Sequence, residues 1–82
     1  GVREPLLEFI EGKEHLEVIV ELPGIEEKDF SLVIEEEKIA ISAETSERKY
    51  RTEQKLPTKV LSEPLERTYK NGILRIKLKK AE

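Results

Sequence analysis

The stretch LEVIVEL, residues 16–22, decides how this chain is read. Leu16, Val18, Val20 and Leu22 alternate with Glu17, Ile19 and Glu21. Successive side chains of a strand point to opposite faces, so a period of two marks a strand with one apolar and one mostly charged side. Pro23-Gly24 then ends it. Proline has no N–H to give the ladder, and glycine accepts a positive φ.

The same period recurs on both sides. Phe30, Leu32 and Ile34 alternate with Ser31 and Val33; Ile39, Ile41 and Ala43 with Ala40, Ser42 and Glu44. Tyr50, Thr52, Gln54 and Leu56 alternate with Arg51, Glu53 and Lys55, and Leu74, Ile76 and Leu78 with Arg75 and Lys77. Residues 6–11 and 65–70 carry a fainter version. Turn chemistry separates these runs. Glu11-Gly12-Lys13 is a short hairpin loop, Pro57 ends the fifth run and Pro64 precedes the sixth. Asn71-Gly72 is the two-residue link preferred in type I′ hairpins. Residues 26–29 (EEKD) have room for one helical turn. Glu35-Glu36-Glu37 must also turn, without a glycine. Seven short strands with turns about every ten residues and no long helix predict an all-β fold, an antiparallel two-sheet β-sandwich.

Composition narrows the function. With 82 residues, the chain is one domain with a small core. Hydrophobic residues are 37% and charged residues 40%, but the apolar ones are ordered by period, which argues against disorder. No apolar run reaches the roughly 18 residues of a membrane span. The net charge of −3 offers no overall pull toward nucleic acid or an anionic membrane. There is no Cys, hence no disulfide framework and no thiolate metal site. Missing Cys and a missing secretory signal predict a cytoplasmic protein. Abundant Glu and Lys, one Asn, one Gln and no Met are the composition expected of a hyperthermophile. The opening GVREP and the absent Met predict a piece of something longer, with sequence missing beyond both ends.

No catalytic pattern is visible. His15 is the only His; its neighbours are Glu14 and Glu17, and Glu17 shares its strand face. A metal or catalytic site needs more partners than that. The glutamates face abundant Lys and Arg, not the apolar surroundings that raise a catalytic carboxyl's pKa. Ser31, Ser42, Ser46 and Ser62 lie in no nucleophile motif, and four isolated glycines make no phosphate loop. No enzyme activity, cofactor or metal is therefore expected. The basic run RIKLKK places Arg75, Lys77 and Lys79 on one strand face without the aromatics of a single-strand binding platform. Glu17 and Glu21 on a neighbouring strand would pair with them. What remains is a sandwich that works by binding, through an edge or a groove.

Two motifs sharpen this. VELPGIEEKDF (20–30) and YKNGILRIKL (69–78), with the strand order between them, resemble the α-crystallin domain of small heat shock proteins. Glu21, Leu22, Pro23, Gly24 and Ile25, then Lys28, Asp29 and Phe30, follow that family's early pattern. Asn71, Gly72, Ile73 and Leu74 follow its late one, and Leu56-Pro57 supplies the usual end of the strand before it. REPLLEFIEGKEHL resembles the first hairpin of archaeal members. The resemblance covers about residues 3–80. It implies an immunoglobulin-like sandwich, an ATP-independent holdase function, and unfolded or partly folded client proteins as partners. It also implies self-association as a dimer and larger assembly only through terminal extensions, with no nucleic acid or membrane partner. A groove between the third and sixth strands would take extended segments, walled by Phe30, Leu32, Ile34, Leu65, Arg67 and Tyr69. The same six residues also fit a second reading, in which they close the core.

Departures from the pattern matter. Arg67 stands where the family has Ala, and Thr52 where it usually has Arg. Many members carry, in the link between the fourth and fifth strands, an extra strand donated to a partner subunit. Here Thr45–Arg48 is all there is, and at about 3.3 Å per residue four residues cannot form such an arm. The dimer would pair edges without swapping, or the chain would be a monomer. The short link equally fits a CS-domain-like co-chaperone or adaptor that acts by docking. Ile39-Ala40-Ile41 has the Ile-x-Ile spacing of the family's C-terminal tail, but it lies within a core strand.

Overall fold

Strands form wherever the period-two stretches lie. The computed structural model describes all residues from Gly1 to Glu82. They build β1 (Leu6–Glu11), β2 (His15–Glu21), β3 (Phe30–Ile34), β4 (Lys38–Glu44), β5 (Lys49–Lys55), β6 (Glu66–Lys70) and β7 (Ile73–Lys79). Each end falls within one residue of the expected run. A 3-10 turn at Glu27–Asp29 precedes β3, where one helical turn is expected.

Two antiparallel sheets face each other, ordered β1-β2-β7-β6 and β3-β4-β5. Their inner faces supply the core: Leu16, Val18 and Val20 of β2, Leu74, Ile76 and Leu78 of β7, and Ile39, Ile41 and Ala43 of β4. Tyr50, Leu22, Ile25, Phe30, Leu56 and Val60 complete it. Ile39 and Ile41 are buried, so the Ile-x-Ile spacing there belongs to the core. β2 and β7 pair along their full length, each apolar residue opposite another: Leu16 with Leu78, Val18 with Ile76, Val20 with Leu74. Their outer faces match by charge. Glu17 lies opposite Lys77, and Arg75 Nη1 reaches Glu17 Oε1 at 3.1 Å. Solvent-exposed pairs of this kind contribute about 0–1 kcal/mol each.

Local chemistry explains the links. Asn71 (φ 51) and Gly72 (φ 77) both take the left-handed conformation of a type I′ turn. The Glu35–Glu37 link needs no glycine because three residues turn without a positive φ. The Glu35 N–H donates to Lys38 O, while Glu37 and Glu36 carbonyls accept from Leu56 and Val60. Thr45–Arg48 is a closed hairpin. Thr45 N–H donates to Arg48 O, and Thr45 Oγ1 accepts from the N–H groups of Glu47 and Arg48.

Residues 56–65 cross between the sheets. Leu56 and Val60 bond to the β3–β4 link, and Leu61 and Leu65 donate to Lys79 O and Lys77 O of β7. At the other sheet edge, Arg3 pairs in parallel with β5, donating to Lys49 O and accepting from Arg51 N–H. No helix is long and apolar enough to cross a membrane.

Candidate functional site

β3 and β6 are edge strands of opposite sheets, and the groove that the resemblance implies would run along the margin between them. An aromatic pair bridges that margin. The rings of Phe30 and Tyr69 lie 4.9 Å apart, tilted by 56°, within the favourable range for an aromatic pair. Phe30 is only 8% exposed and belongs to the core. Tyr69 is half-buried, and its hydroxyl lies 3.1 Å from Leu22 O and 2.5 Å from Ile25 O, sharing one donated hydrogen between two carbonyls. Burial, then the nearby charge of Glu27, then Tyr50, hold its pKa above the ordinary tyrosine value.

The two sequence motifs meet here. Leu22 N–H donates to Gly72 O at 2.7 Å. A Cβ on Gly72 would lie 3.4 Å from Leu22 O and Pro23 Cα. Pro23 O accepts from Arg48 Nη1 at 2.8 Å and from the Tyr50 hydroxyl at 3.4 Å. Gly24 turns at φ 80 beneath that guanidinium. The ELPG turn is thus clamped from both sides, by the β6–β7 hairpin and by the link between β4 and β5. Tyr69, at the end of β6, anchors that strand to it.

The other expected residues differ in exposure. Leu32 and Ile34 of β3 are half-buried against the core. Leu65, just ahead of β6, is 55% exposed, and Leu61 is 51% exposed. The bond from Val60 N–H to Glu36 O ties the crossing segment to the β3–β4 link beyond Ile34. Arg67, on the inner side of β6, holds its guanidinium over the Phe30 ring, 5.3 Å from the centroid. Of the six residues expected to wall a groove, Phe30 belongs to the core, Leu32, Ile34 and Tyr69 are partly buried against it, Leu65 is exposed, and Arg67 lies over the Phe30 ring.

Two contributors are invisible to a reading by period. Leu61 lies in an irregular stretch, where alternation says nothing about exposure. Arg48 acts on Pro23, 25 positions away, a contact that only the fold creates. His15 lies on the outer face of β2, opposite Lys79. A second recess, of about 500 Å³, spreads over Ser31, Ala40 and Ser42 on the outer face of the three-stranded sheet, where small side chains leave it shallow.

No family model matches the chain. Among curated proteins, it is 30% identical to the probable 15 kDa heat shock protein of Leptospira interrogans, over 93% of this chain and 69% of that protein. It is 28% identical to heat shock protein 16 of Schizosaccharomyces pombe, over all of this chain and 70% of that one. Among solved structures, heat shock protein 16.0 of the same yeast superposes with a TM-score of 0.83 at 27% identity, covering the whole chain and 70% of that one. A mutant of hsp14.1 from Sulfolobus solfataricus superposes with a TM-score of 0.77 over 94% of this chain and 75% of that one; at 23% identity it speaks for the fold alone.

Proposed function

This chain belongs to the small heat shock protein family, with a chaperone's function, and we propose that it works as an ATP-independent holdase through the β3–β6 slot. The observation that supports the slot is that Leu32 and Ile34 on the edge strand β3 are left half-buried, with the exposed Leu65 just ahead of the other edge strand, β6. Unpaired edges beside apolar side chains invite another chain to add as a strand. An extended client segment gains main-chain hydrogen bonds from the edge and side-chain burial from the slot. Binding the unfolded state in this way competes with client self-association by mass action, and no step in it consumes a nucleotide.

Self-association, on this reading, joins strand edges in place. The closed Thr45–Arg48 hairpin holds no strand to donate, so the partner would pair with an existing edge as a dimer. Larger assemblies would need terminal extensions around this single domain. The opening hairpin supports an archaeal-type member, and the Glu- and Lys-rich composition one from a hot environment. A CS-domain-like docking module is the second reading, favoured by that same hairpin; relatives named as heat shock proteins favour the holdase.

Light scattering from a heat-labile client tests the holdase directly. With the protein in equimolar amount or excess, and no ATP, scattering should fall. Unchanged aggregation would sink the reading and leave the docking module.

A further inference from the structure

The strands at the sheet edges are β1, β3, β5 and β6. An edge is blunted against pairing by charged side chains or by a covering segment. β5 has both, with Lys49, Arg51, Glu53 and Lys55 along it and Arg3 bonded to its rim. β6 carries Glu66, Arg67 and Lys70, and β3 lies on the margin proposed for clients. β1 differs from these. Its stretch Leu6-Leu7-Glu8-Phe9-Ile10 is apolar on both faces around one central glutamate. Leu6 is 70% and Ile10 49% exposed on the outer face, while Leu7 and Phe9 pack partly against the core. The register with β2 also fixes which backbone groups are free. Gly12 N–H donates to His15 O, so Ile10, Glu8 and Leu6, at alternate positions, bond to β2. The N–H and C=O groups of Leu7, Phe9 and Glu11 therefore point away from the sheet, and none bonds to a loop of the chain.

We propose that β1 is where the chain self-associates: two copies pair this strand antiparallel about a two-fold axis through Glu8, joining their four-stranded sheets into one. This deepens the reading that the chain dimerises edge to edge, and rests on it. A two-fold interface must be self-complementary, with residue i on j and j on i. The stretch LLEFI meets that condition about its centre. Leu6 faces the partner's Ile10 on the outer side. Leu7 faces the partner's Phe9 on the inner side, where the two residues exchange both main-chain bonds. An axis through Leu7 or Phe9 would instead set Glu8 against the partner's Leu6 or Ile10. The axis through Glu8 pairs each of these apolar residues with another. Its cost is that Glu8 faces its own copy, in a pair without main-chain bonds, where side chains come closest. Like charges directly opposite destabilise a strand pair. No cation of the chain offsets this: the residue opposite Glu8 on β2 is Ile19, and Glu8 is in no ion pair. Glu8 therefore weakens a pairing that the apolar residues favour, and the dimer is reversible.

Analytical ultracentrifugation over a concentration series, with native mass spectrometry of mixtures, tests this. The wild type should dimerise reversibly. Ile10→Lys should weaken the dimer at least about tenfold, because each copy loses an apolar contact with the partner's Leu6. Glu8→Gln should tighten it about two- to fivefold. Glu8→Lys mixed with wild type should form heterodimers beyond the statistical proportion, since the axis then holds opposite charges. Circular dichroism should show all these variants folded, since Glu8 and Ile10 are exposed. A dimer that Ile10→Lys leaves unchanged would place the contact at another edge and overturn the assignment to β1, while self-association itself would stand. Statistical mixing of Glu8→Lys with wild type, or no tightening in Glu8→Gln, would overturn the axis through Glu8. A wild type that stays monomeric throughout would remove edge-to-edge self-association, and this inference with it.

Discussion

Gly72 is the residue on which the two motifs depend. Its φ of 77 is a conformation that side chains with a Cβ rarely adopt, and an added Cβ would lie 3.4 Å from Leu22 O and Pro23 Cα, so the cost is mainly in the backbone. Gly72→Ala should cost about 1–2 kcal/mol, measured by urea unfolding. Tyr69→Phe isolates the hydroxyl that bonds Leu22 O and Ile25 O, and should cost about 1 kcal/mol. The pH dependence has a definite sign. Burial raises the folded-state pKa of Tyr69 above its unfolded value, so the folded state holds the proton more tightly. The hydroxyl's contribution is complete below about pH 10, the unfolded value, and is lost as pH rises from there through the raised folded value. Alkaline unfolding should therefore be shallower in Tyr69→Phe. An identical pH profile would say that the hydroxyl titrates alike in both states.

At the level of elements, β7 and β6 should respond in opposite ways. β7 is central, paired on both edges, and Ile76 is fully buried. Ile76→Ala should cost about 2–4 kcal/mol, a large part of a small domain's stability. Leu65→Ser, exposed just ahead of β6, should change stability by less than about 0.5 kcal/mol yet weaken client binding. A large loss of stability there would make Leu65 a core residue. The same contrast shows what period reveals. Five strands are plainly legible because one face of each meets the core and the other meets water; β1 and β6 are fainter because they bury little. The Asn-Gly turn is legible because its conformation demands those residues. The clamp of Arg48 on Pro23 and the exposure of Leu61 are not legible, because both depend on tertiary neighbours that no local pattern encodes. Phe30, Leu32 and Ile34 are legible as one alternating face, but not in their depth: Phe30 is buried in the core, whereas Leu32 and Ile34 stay half-buried at the sheet edge.

At the level of the molecule, β2, β4 and β7 supply most of the core, and the edge strand β3 leaves Leu32 and Ile34 half-buried with no strand beyond it. Size-exclusion chromatography with light scattering should find this chain as a dimer at micromolar concentration; a large multi-subunit assembly would contradict the need for terminal extensions. The central claim is that the β3–β6 margin receives the client. Hydrogen exchange read by mass spectrometry, with and without a heat-unfolded client, tests it most directly. Added protection should concentrate in residues 30–34 and 61–70, with β1 and the outer face of β4 and β5 unchanged. Protection confined to those other surfaces, with the margin exchanging as before, would contradict it.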